Sequence, residues 1–111
     1  MFSRAFTFLA TLWFLIAASA VPVIAADKSI IVFDASGSMW AQIGGKTRIE
    51  IARETIASVL KDFPGDRELG LMAYGHREKG SCSDIELVVA PATGTAGAIS
   101  EAVGRINPKG K

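Results

Sequence analysis

Three oxygen-bearing side chains stand at alternate positions in one short stretch of the chain: Asp34, Ser36 and Ser38. Hard divalent cations such as Mg²⁺ prefer oxygen ligands and often take only one or two carboxylates, with hydroxyls and waters completing the octahedron. In an extended segment alternate side chains point toward the same side, so this spacing predicts that the three groups converge. The pattern favours binding of a divalent cation. The alternative is an Asx-type turn, in which the same groups bind neighbouring amides.

A short apolar segment must position these side chains. Residues 29–33 contain several β-branched side chains and directly precede Asp34, which predicts a buried β-strand over residues 28–34. Open α/β sheets bind their ligands at the carboxyl ends of the strands. The sequence therefore places the Asp34 carboxylate at the edge of the sheet where such a fold would bind a cation.

The pattern that follows this strand predicts an α/β fold. Thr47 and Glu50 form a capping-box pair that predicts a helix over residues 47–62, with Arg53 on a face outside the apolar stripe. The predicted apolar stripe of this helix consists of Ile49, Ala52, Ile56, Val59, Leu60 and Phe63. A second buried strand is predicted over residues 68–74.

The last part of the chain is predicted to contain an antiparallel strand and another helix. The third strand covers residues 84–90, and only about nine residues connect it to the second strand, whereas a parallel crossover needs about a dozen or more. Residues 91–94 then break the chain, because they include proline and glycine. Thr95 is predicted to cap a helix that ends before residues 107–110.

These motifs resemble those of a known family. An Asp-x-Ser-x-Ser sequence after a hydrophobic strand resembles the first part of the metal-ion-dependent adhesion site of von Willebrand factor type A domains. Residues 33–40, 48–53 and 74–77 look most like bacterial exported members, and the resemblance covers residues 28–111. It implies the N-terminal half of a doubly wound (Rossmann-like) sheet, with two parallel strands, an antiparallel edge strand and flanking helices.

The resemblance also implies a role for each polar side chain of the motif. Ser36 and Ser38 would bind Mg²⁺ (or Mn²⁺) directly and Asp34 partly through water. An open coordination position of the cation would accept a carboxylate from a partner protein. The implied function is an exported binding module that mediates divalent-metal-dependent protein–protein interaction, and not an enzyme.

The family's complete site has two further ligands, a threonine from the loop after the second helix and an aspartate after the next strand. Neither is present in these 111 residues, and residues 107–111 stand about where the threonine loop should begin. We therefore expect residues 27–111 to form a partial type A domain, with residues 30–33 at an open, aggregation-prone sheet edge. A truncated or degenerate domain without metal-dependent activity is the alternative.

The first 26 residues have the pattern of a targeting segment. Arg4 is their single charged residue, residues 5–26 are uncharged, and Pro22 and small residues stand near the end. This pattern predicts a secretory signal peptide that is cleaved after Ala25 or Ala26, and thus a periplasmic or secreted protein. The alternative is an uncleaved membrane anchor over residues 5–26, since about 20 apolar residues can span a bilayer.

Charge and cysteine content exclude nucleic acid as a partner and a disulfide bond within the chain. The chain has 12 basic and 11 acidic residues, so removal of the predicted signal peptide with its one arginine leaves 11 of each. A formally neutral mature chain without a basic stripe excludes nucleic acid as a partner. The single cysteine, Cys82, cannot form a disulfide within the chain.

Nucleotide binding, phosphoryl transfer and serine hydrolysis each use motifs that are partly present in this sequence. For each of these functions the chain lacks a residue that the chemistry needs. Residues 45–47 resemble the end of a phosphate-binding loop, yet Trp40 stands where that loop requires glycine. A phosphatase-like hydrolase would use Asp34 as nucleophile, but its second aspartate is replaced by Ser36, which cannot act as a general acid. A serine hydrolase lacks its Gly-x-Ser-x-Gly motif, and we expect the one histidine, His76, to be an ordinary loop residue.

Overall fold

A computed structural model of the chain describes residues 27–109. Its elements are β1 (Lys28–Asp34), a 3₁₀ turn (Gly37–Trp40), β2 (Gln42–Ile43), β3 (Lys46–Thr47), α1 (Arg48–Lys61), β4 (Glu68–Tyr74), β5 (Ile85–Ala92) and α2 (Ala96–Arg105). The three predicted strands and two predicted helices are confirmed in type and order, whereas the 3₁₀ turn and the β2–β3 hairpin were not predicted.

The predicted signal peptide or anchor, residues 1–26, lies outside the described residues. The helices that the structure does describe are too short or too polar to cross a membrane. Cleavage and anchoring of the N-terminal segment therefore both stay predictions.

β1, β4 and β5 form one mixed sheet in which β4 is central. β1 runs parallel to β4 and pairs Asp34 with Tyr74 at its carboxyl end, while β5 runs antiparallel to β4 and pairs Ile85 with the same tyrosine. The antiparallel direction predicted from the short connection is confirmed. Within residues 27–109, β1 pairs on one side only and so forms the open edge that the sequence predicts.

Both helices pack on one face of this sheet, where alternate residues of β1 and β4 point into the core. The core consists of Phe33, Ala35, Ile49, Leu60, Leu69, Leu71, Ala73, Ile99, Ala102 and Val103. The opposite face exposes Val32, Tyr74, Ile85 and Leu87. Because no helix covers that face within residues 27–109, the doubly wound arrangement stays a prediction.

α1 begins as the sequence predicts. The Thr47 hydroxyl accepts a hydrogen bond from the Glu50 amide (3.3 Å), and the Glu50 carboxylate accepts one from the Thr47 amide (2.7 Å), which is the reciprocal pair of a capping box. The apolar stripe of α1 is narrower than predicted, because Ile56 and Leu60 contact the core whereas Val59 is exposed. The inclusion of Val59 in the stripe is wrong.

The boundary between β5 and α2 also differs from the prediction. β5 continues through Pro91 to Ala92, because a proline is tolerated on a strand that has no neighbour on its outer side in the described part of the chain. The side chain of Thr95 does not cap α2. Its hydroxyl donates instead to the carbonyl oxygens of Leu69 (2.6 Å) and Ala92 (3.1 Å), which ties the start of α2 to the sheet.

Arg53 lies outside the apolar stripe of α1, as predicted, and connects the two helices. Its guanidinium donates from Nε to the carbonyl oxygen of Val103 (3.2 Å), and from Nη2 to the carbonyl oxygen of Ile106 (2.7 Å) and the side-chain oxygen of Asn107 (3.0 Å). Carbonyl groups at a helix end have no partner within the helix, and the arginine satisfies two of them. The contact fixes the segment that leads from α2 toward the candidate site.

Arg53→Ala is expected to lower the free energy of unfolding by about 1–3 kcal/mol, because a charged donor of three hydrogen bonds is lost. Urea denaturation measures the change. Arg48→Ala, at the exposed first position of α1, is the matched control and should cost about 0.5 kcal/mol or less. Equal destabilisation by the two substitutions would contradict this role of Arg53.

Candidate metal centre

The three oxygen-bearing side chains at the carboxyl end of β1 come together in the structure. Ser36 donates hydrogen bonds from its amide (2.9 Å) and its hydroxyl (2.7 Å) to Asp34 Oδ1, and the hydroxyl oxygens of Ser36 and Ser38 lie 3.1 Å apart. The backbone does not stay extended through the motif, as the spacing argument assumes, because Ser38 lies in the 3₁₀ turn. The turn produces the convergence that was expected from an extended chain.

The hydrogen bond from the Ser36 amide to Asp34 is that of an Asx-type turn, the alternative interpretation of the motif. Partial burial acts to raise the pKa of Asp34, but hydrogen bonds from the amide and hydroxyl of Ser36 and from the Tyr74 hydroxyl outweigh it and hold this pKa below its ordinary value. The carboxylate is therefore ionised at neutral pH. The same residues thus form an Asx-type turn and keep a negative charge at the carboxyl end of β1.

Backbone contacts fix the loop that carries the two serines. The Ala35 amide donates to the Tyr74 carbonyl oxygen (2.9 Å), which extends the pairing of β1 with β4 by one residue. The next residue after Tyr74 is Gly75, whose φ is 76° and whose backbone lies so close to Ser36 that a Cβ would stand 2.7 Å from the Ser36 Cα. Glycine is required there, because other residues disfavour a positive φ and bring a Cβ into this contact.

The segment after α2 returns to the same loop. The Lys109 amide donates to the Gly75 carbonyl oxygen (3.2 Å), and Lys109 forms a parallel bridge with Ser36. The Trp40 indole donates to the Pro108 carbonyl oxygen (3.2 Å). The chain therefore approaches the candidate metal site after its second helix, as the family resemblance implies.

A buried carboxylate that the sequence analysis missed holds the loop between β4 and β5. Asp84 accepts hydrogen bonds from the amides of Arg77 (2.7 Å) and Glu78 (2.8 Å) and from Nε of Arg77 (2.9 Å). These bonds, first among them the one from the Glu78 amide, outweigh the effect of burial and lower the pKa of Asp84 to about 2. No motif marks Asp84, because its partners are set by the way the loop folds back on itself.

His76 lies in this loop, as predicted, but it is largely buried. Its Nε2 stands 3.3 Å from the Glu86 carboxylate, and its Nδ1 stands 4.0 Å from the Asp84 carboxylate. Arg77 pairs with the same two acidic residues. Cys82 is exposed in the same loop. His76 is thus a packing residue of the β4–β5 loop.

The donor set at Asp34 fits a hard cation. It consists of one ionised carboxylate and two neutral hydroxyl oxygens, the ligand type that Mg²⁺ accepts while it keeps several waters. It contains no sulfur or imidazole, which softer transition metals prefer. Within residues 27–109, no group of three or more His, Cys, Asp or Glu side chains comes together in a way that could hold a metal ion. A metal site in this part of the chain therefore depends on the serine hydroxyls.

A cavity of about 390 Å³ opens beside these side chains and is named the hairpin pocket, after the β4–β5 hairpin that encloses it. It lies between the end of β4, the start of β5 and the connecting loop, and Tyr74, Cys82 and Ile85 are among its lining residues. Ser36 borders both the pocket and the candidate metal site. The sequence does not predict this cavity, because the cavity depends on how the β4–β5 loop closes.

The mixed sheet and the Asp-x-Ser-x-Ser loop at the end of its first strand define a class of protein. The sequence profile of the von Willebrand factor type A domain matches residues 29–111, which is most of the chain. The chain therefore belongs to the von Willebrand factor type A domain family, as its motifs predict. Domains of this family act in general as protein-interaction modules.

Two individual proteins are similar to this chain over part of their length. The uncharacterised protein YwmD of Bacillus subtilis (strain 168) is 37% identical over 62 residues, which is 51% of this chain and 28% of that protein. The solved structure of a mutant of the PilB minor pilin from Streptococcus sanguinis matches 74% of this chain and 22% of that chain, with 19% identity and a TM-score of 0.51. The pilin likeness concerns the fold alone. The chain spans less than a third of the length of either protein.

Proposed function

We propose that this chain is an exported binding module, and not an enzyme, which holds Mg²⁺ (or Mn²⁺) through Asp34, Ser36 and Ser38 and presents it to a carboxylate of a partner protein. The observation that carries the proposal is the convergence of these three side chains at the carboxyl end of β1, in a member of the type A domain family. The two serine hydroxyls would bind the cation directly, and the ionised Asp34 would neutralise part of its charge.

The charge of the donor set supports a carboxylate as the partner's ligand. One carboxylate and two neutral hydroxyls leave a divalent cation with an uncompensated positive charge, and Ser38 is exposed to solvent. An anionic side chain of a partner can therefore replace a water at the cation and gain a charge-assisted contact. The cation would link the two proteins and supply no covalent chemistry.

Export is supported by the sequence pattern of residues 1–26. A single positive charge followed by an apolar stretch and by small residues is typical of a secretory signal peptide, with a membrane anchor over residues 5–26 as the alternative. The partner would then be met in the periplasm, at the cell surface or outside the cell.

A type A domain without metal-dependent activity is the second candidate function. The observation that favours it is the Asx-type turn, in which Asp34 already accepts two hydrogen bonds from Ser36. A cation competes with those bonds, so its affinity depends on how readily the Ser36 hydroxyl turns away from the carboxylate.

Asp34→Asn separates the two candidates. Asparagine keeps the size of the side chain and one acceptor oxygen for the Ser36 amide, but it removes the negative charge. We expect Mg²⁺ affinity, measured by calorimetric titration, to fall by more than about tenfold. Even residues that only hydrogen-bond to a metal ligand contribute about 10–100-fold to metal affinity. Asp66→Asn, in the exposed turn before β4, is the control that should leave affinity unchanged. A wild-type chain without saturable Mg²⁺ binding would establish the second candidate.

A further inference from the structure

The hairpin pocket stands next to the proposed cation. Tyr74 pairs with Asp34 across β4 and β1, and with Ile85 across β4 and β5. Because neighbouring strands lie about 4.8 Å apart, the pocket wall made by Tyr74 and Ile85 begins one strand away from the Asp34 carboxylate. Ser36 borders both places. A single ligand segment can therefore touch the cation and enter the pocket.

The interior of the hairpin pocket offers apolar surface and few free hydrogen-bonding groups. Tyr74 and Ile85 leave 37% and 55% of their surface exposed. The Asp84 carboxylate, which belongs to the lining, already accepts three hydrogen bonds from its own loop. The Ser81 hydroxyl is engaged with that of Ser83 (2.9 Å). A polar ligand group would find few hydrogen-bond partners in the pocket. An apolar side chain needs no such partner, so it would bury no unsatisfied polar group of its own.

The charged residues of the pocket lining are balanced: Asp84 is paired with Arg77 (2.9 Å), and the other two carry opposite signs. Lys109 and Glu78 both belong to the lining, both are exposed, and they carry opposite signs. The cavity of about 390 Å³ is larger than any single apolar side chain. Its size and neutrality suit a leucine- or phenylalanine-like group and give no advantage to a second charged one.

We propose that the hairpin pocket receives an apolar side chain of the partner protein, two residues before or after the acidic residue whose carboxylate binds the cation. Alternate Cα atoms of an extended segment are about 7 Å apart and their side chains point to the same side, which matches a separation of one to two strands. The partner is thus recognised by an exposed, extended segment in which an acidic residue and an apolar residue are next neighbours, because alternate side chains of such a segment point to the same side. This inference rests on the proposed function, because the cation fixes where the acidic residue sits.

Short peptides and the single cysteine provide the test. The probes are blocked glycine hexapeptides with one aspartate, either without another side chain or with one leucine placed two positions before or after it. In saturating Mg²⁺, chemical-shift titration of the whole chain should show that at least one leucine peptide binds about tenfold more tightly than the aspartate-only peptide. N-ethylmaleimide attached to the exposed Cys82 should remove this advantage and leave binding of the aspartate-only peptide intact.

Each other outcome has a defined meaning. The same reagent added to Cys82→Ser chains must leave their peptide affinities as they were, which shows that the adduct at Cys82 is the cause. A leucine advantage that is missing or survives labelling overturns the pocket's role, while Mg²⁺-dependent binding of the aspartate-only peptide upholds the proposed function. Leucine peptides that bind equally well with asparagine in place of aspartate overturn the shared site. Absence of any Mg²⁺-dependent peptide binding overturns both proposals.

Discussion

Gly75→Ala is expected to lower the free energy of unfolding by about 2–5 kcal/mol and to abolish Mg²⁺ binding at the Asp34 loop. Two costs add. The residue has a φ of 76°, which costs a side-chain-bearing residue about 1–2 kcal/mol, and the new Cβ would stand 2.7 Å from the Ser36 Cα and 2.8 Å from the Ser36 amide nitrogen. These are backbone atoms, so the contact can be relieved only if the two loops move apart.

Gly75 cannot move freely, because neighbouring segments hold its backbone on both sides. Its amide donates to the Asp84 carbonyl oxygen (3.0 Å), and its carbonyl oxygen accepts from the Lys109 amide (3.2 Å). The displacement therefore falls on Ser36, the residue whose amide and hydroxyl both bind Asp34. A stability defect and loss of the cation should appear together for this reason.

Gly94→Ala is the matched control for the backbone conformation alone. Gly94 has a φ of 71°, and a Cβ there would have no heavy atom within 4 Å. We expect it to cost about 1–2 kcal/mol and to leave Mg²⁺ affinity unchanged. Urea denaturation and calorimetric titration of both variants give the comparison. Equal stability of the two variants, or a Gly75→Ala chain with normal Mg²⁺ affinity, would show that the contact with Ser36 is unimportant.

The parts of the fold that the sequence predicts are those that local rules determine. The apolar run of β4 (Glu68–Tyr74) and the Thr47–Glu50 capping pair act within a few residues, and both are observed as predicted. The antiparallel direction of β5 also follows from a local quantity, the length of its connection to β4. The convergence of Asp34 with Ser36 is of the same kind, since the two residues are neighbours in sequence.

The features that the sequence does not predict depend on residues far apart in the chain. The sequence predicts only that Arg53 lies outside the apolar stripe of α1, and the arrival of α2, about 50 positions later, gives it carbonyl partners. Gly75 looks like any turn glycine until β1 and β4 pair and bring it against Ser36. The hairpin pocket likewise exists only because Asp84 closes the β4–β5 loop. Long-range contacts of this kind shape the surroundings of the candidate site, although its ligands are local.

β1 forms an open edge of the sheet within the described residues. The sequence predicts an open sheet edge at residues 30–33, and β1 pairs only with β4 among the described strands. Ile30 and Val32 are exposed on the face opposite the helices. Edge strands with apolar side chains favour pairing with further strands. Association of chains through this edge therefore stays a prediction.

The second large effect is expected at Asp84, which should make the β4–β5 loop sensitive to acid. Hydrogen bonds from the Glu78 amide and from Arg77 lower its pKa from the ordinary 3.8 to about 2 in the folded chain. A carboxyl group whose pKa is lower in the folded state stabilises that state fully at pH values above its unfolded pKa. This stabilisation is lost as the pH falls from about 4 to about 2, because the unfolded chain takes up the proton first.

Asp84→Asn should remove this part of the acid dependence and lower stability at neutral pH. Asparagine has one acceptor oxygen in place of two and turns an amide group toward donors of Arg77 or Glu78, so hydrogen bonds of this buried side chain are lost. Urea denaturation between pH 2 and pH 7 should therefore show a shallower loss of stability on acidification for Asp84→Asn than for the wild-type chain. Asp66→Asn, in an exposed turn, should retain the wild-type slope.

A direct titration of Asp84 provides the sharper measurement. Carbon-13 signals of the carboxyl groups report each pKa separately, and that of Asp84 should lie near 2. A pKa at or above the ordinary 3.8 would mean that the amides of Arg77 and Glu78 do not bind the carboxylate in solution. The β4–β5 loop would then lack its internal support, and the hairpin pocket would have no fixed wall. The acid titration of Asp84 therefore tests whether the pocket proposed to bind the partner segment has a fixed wall.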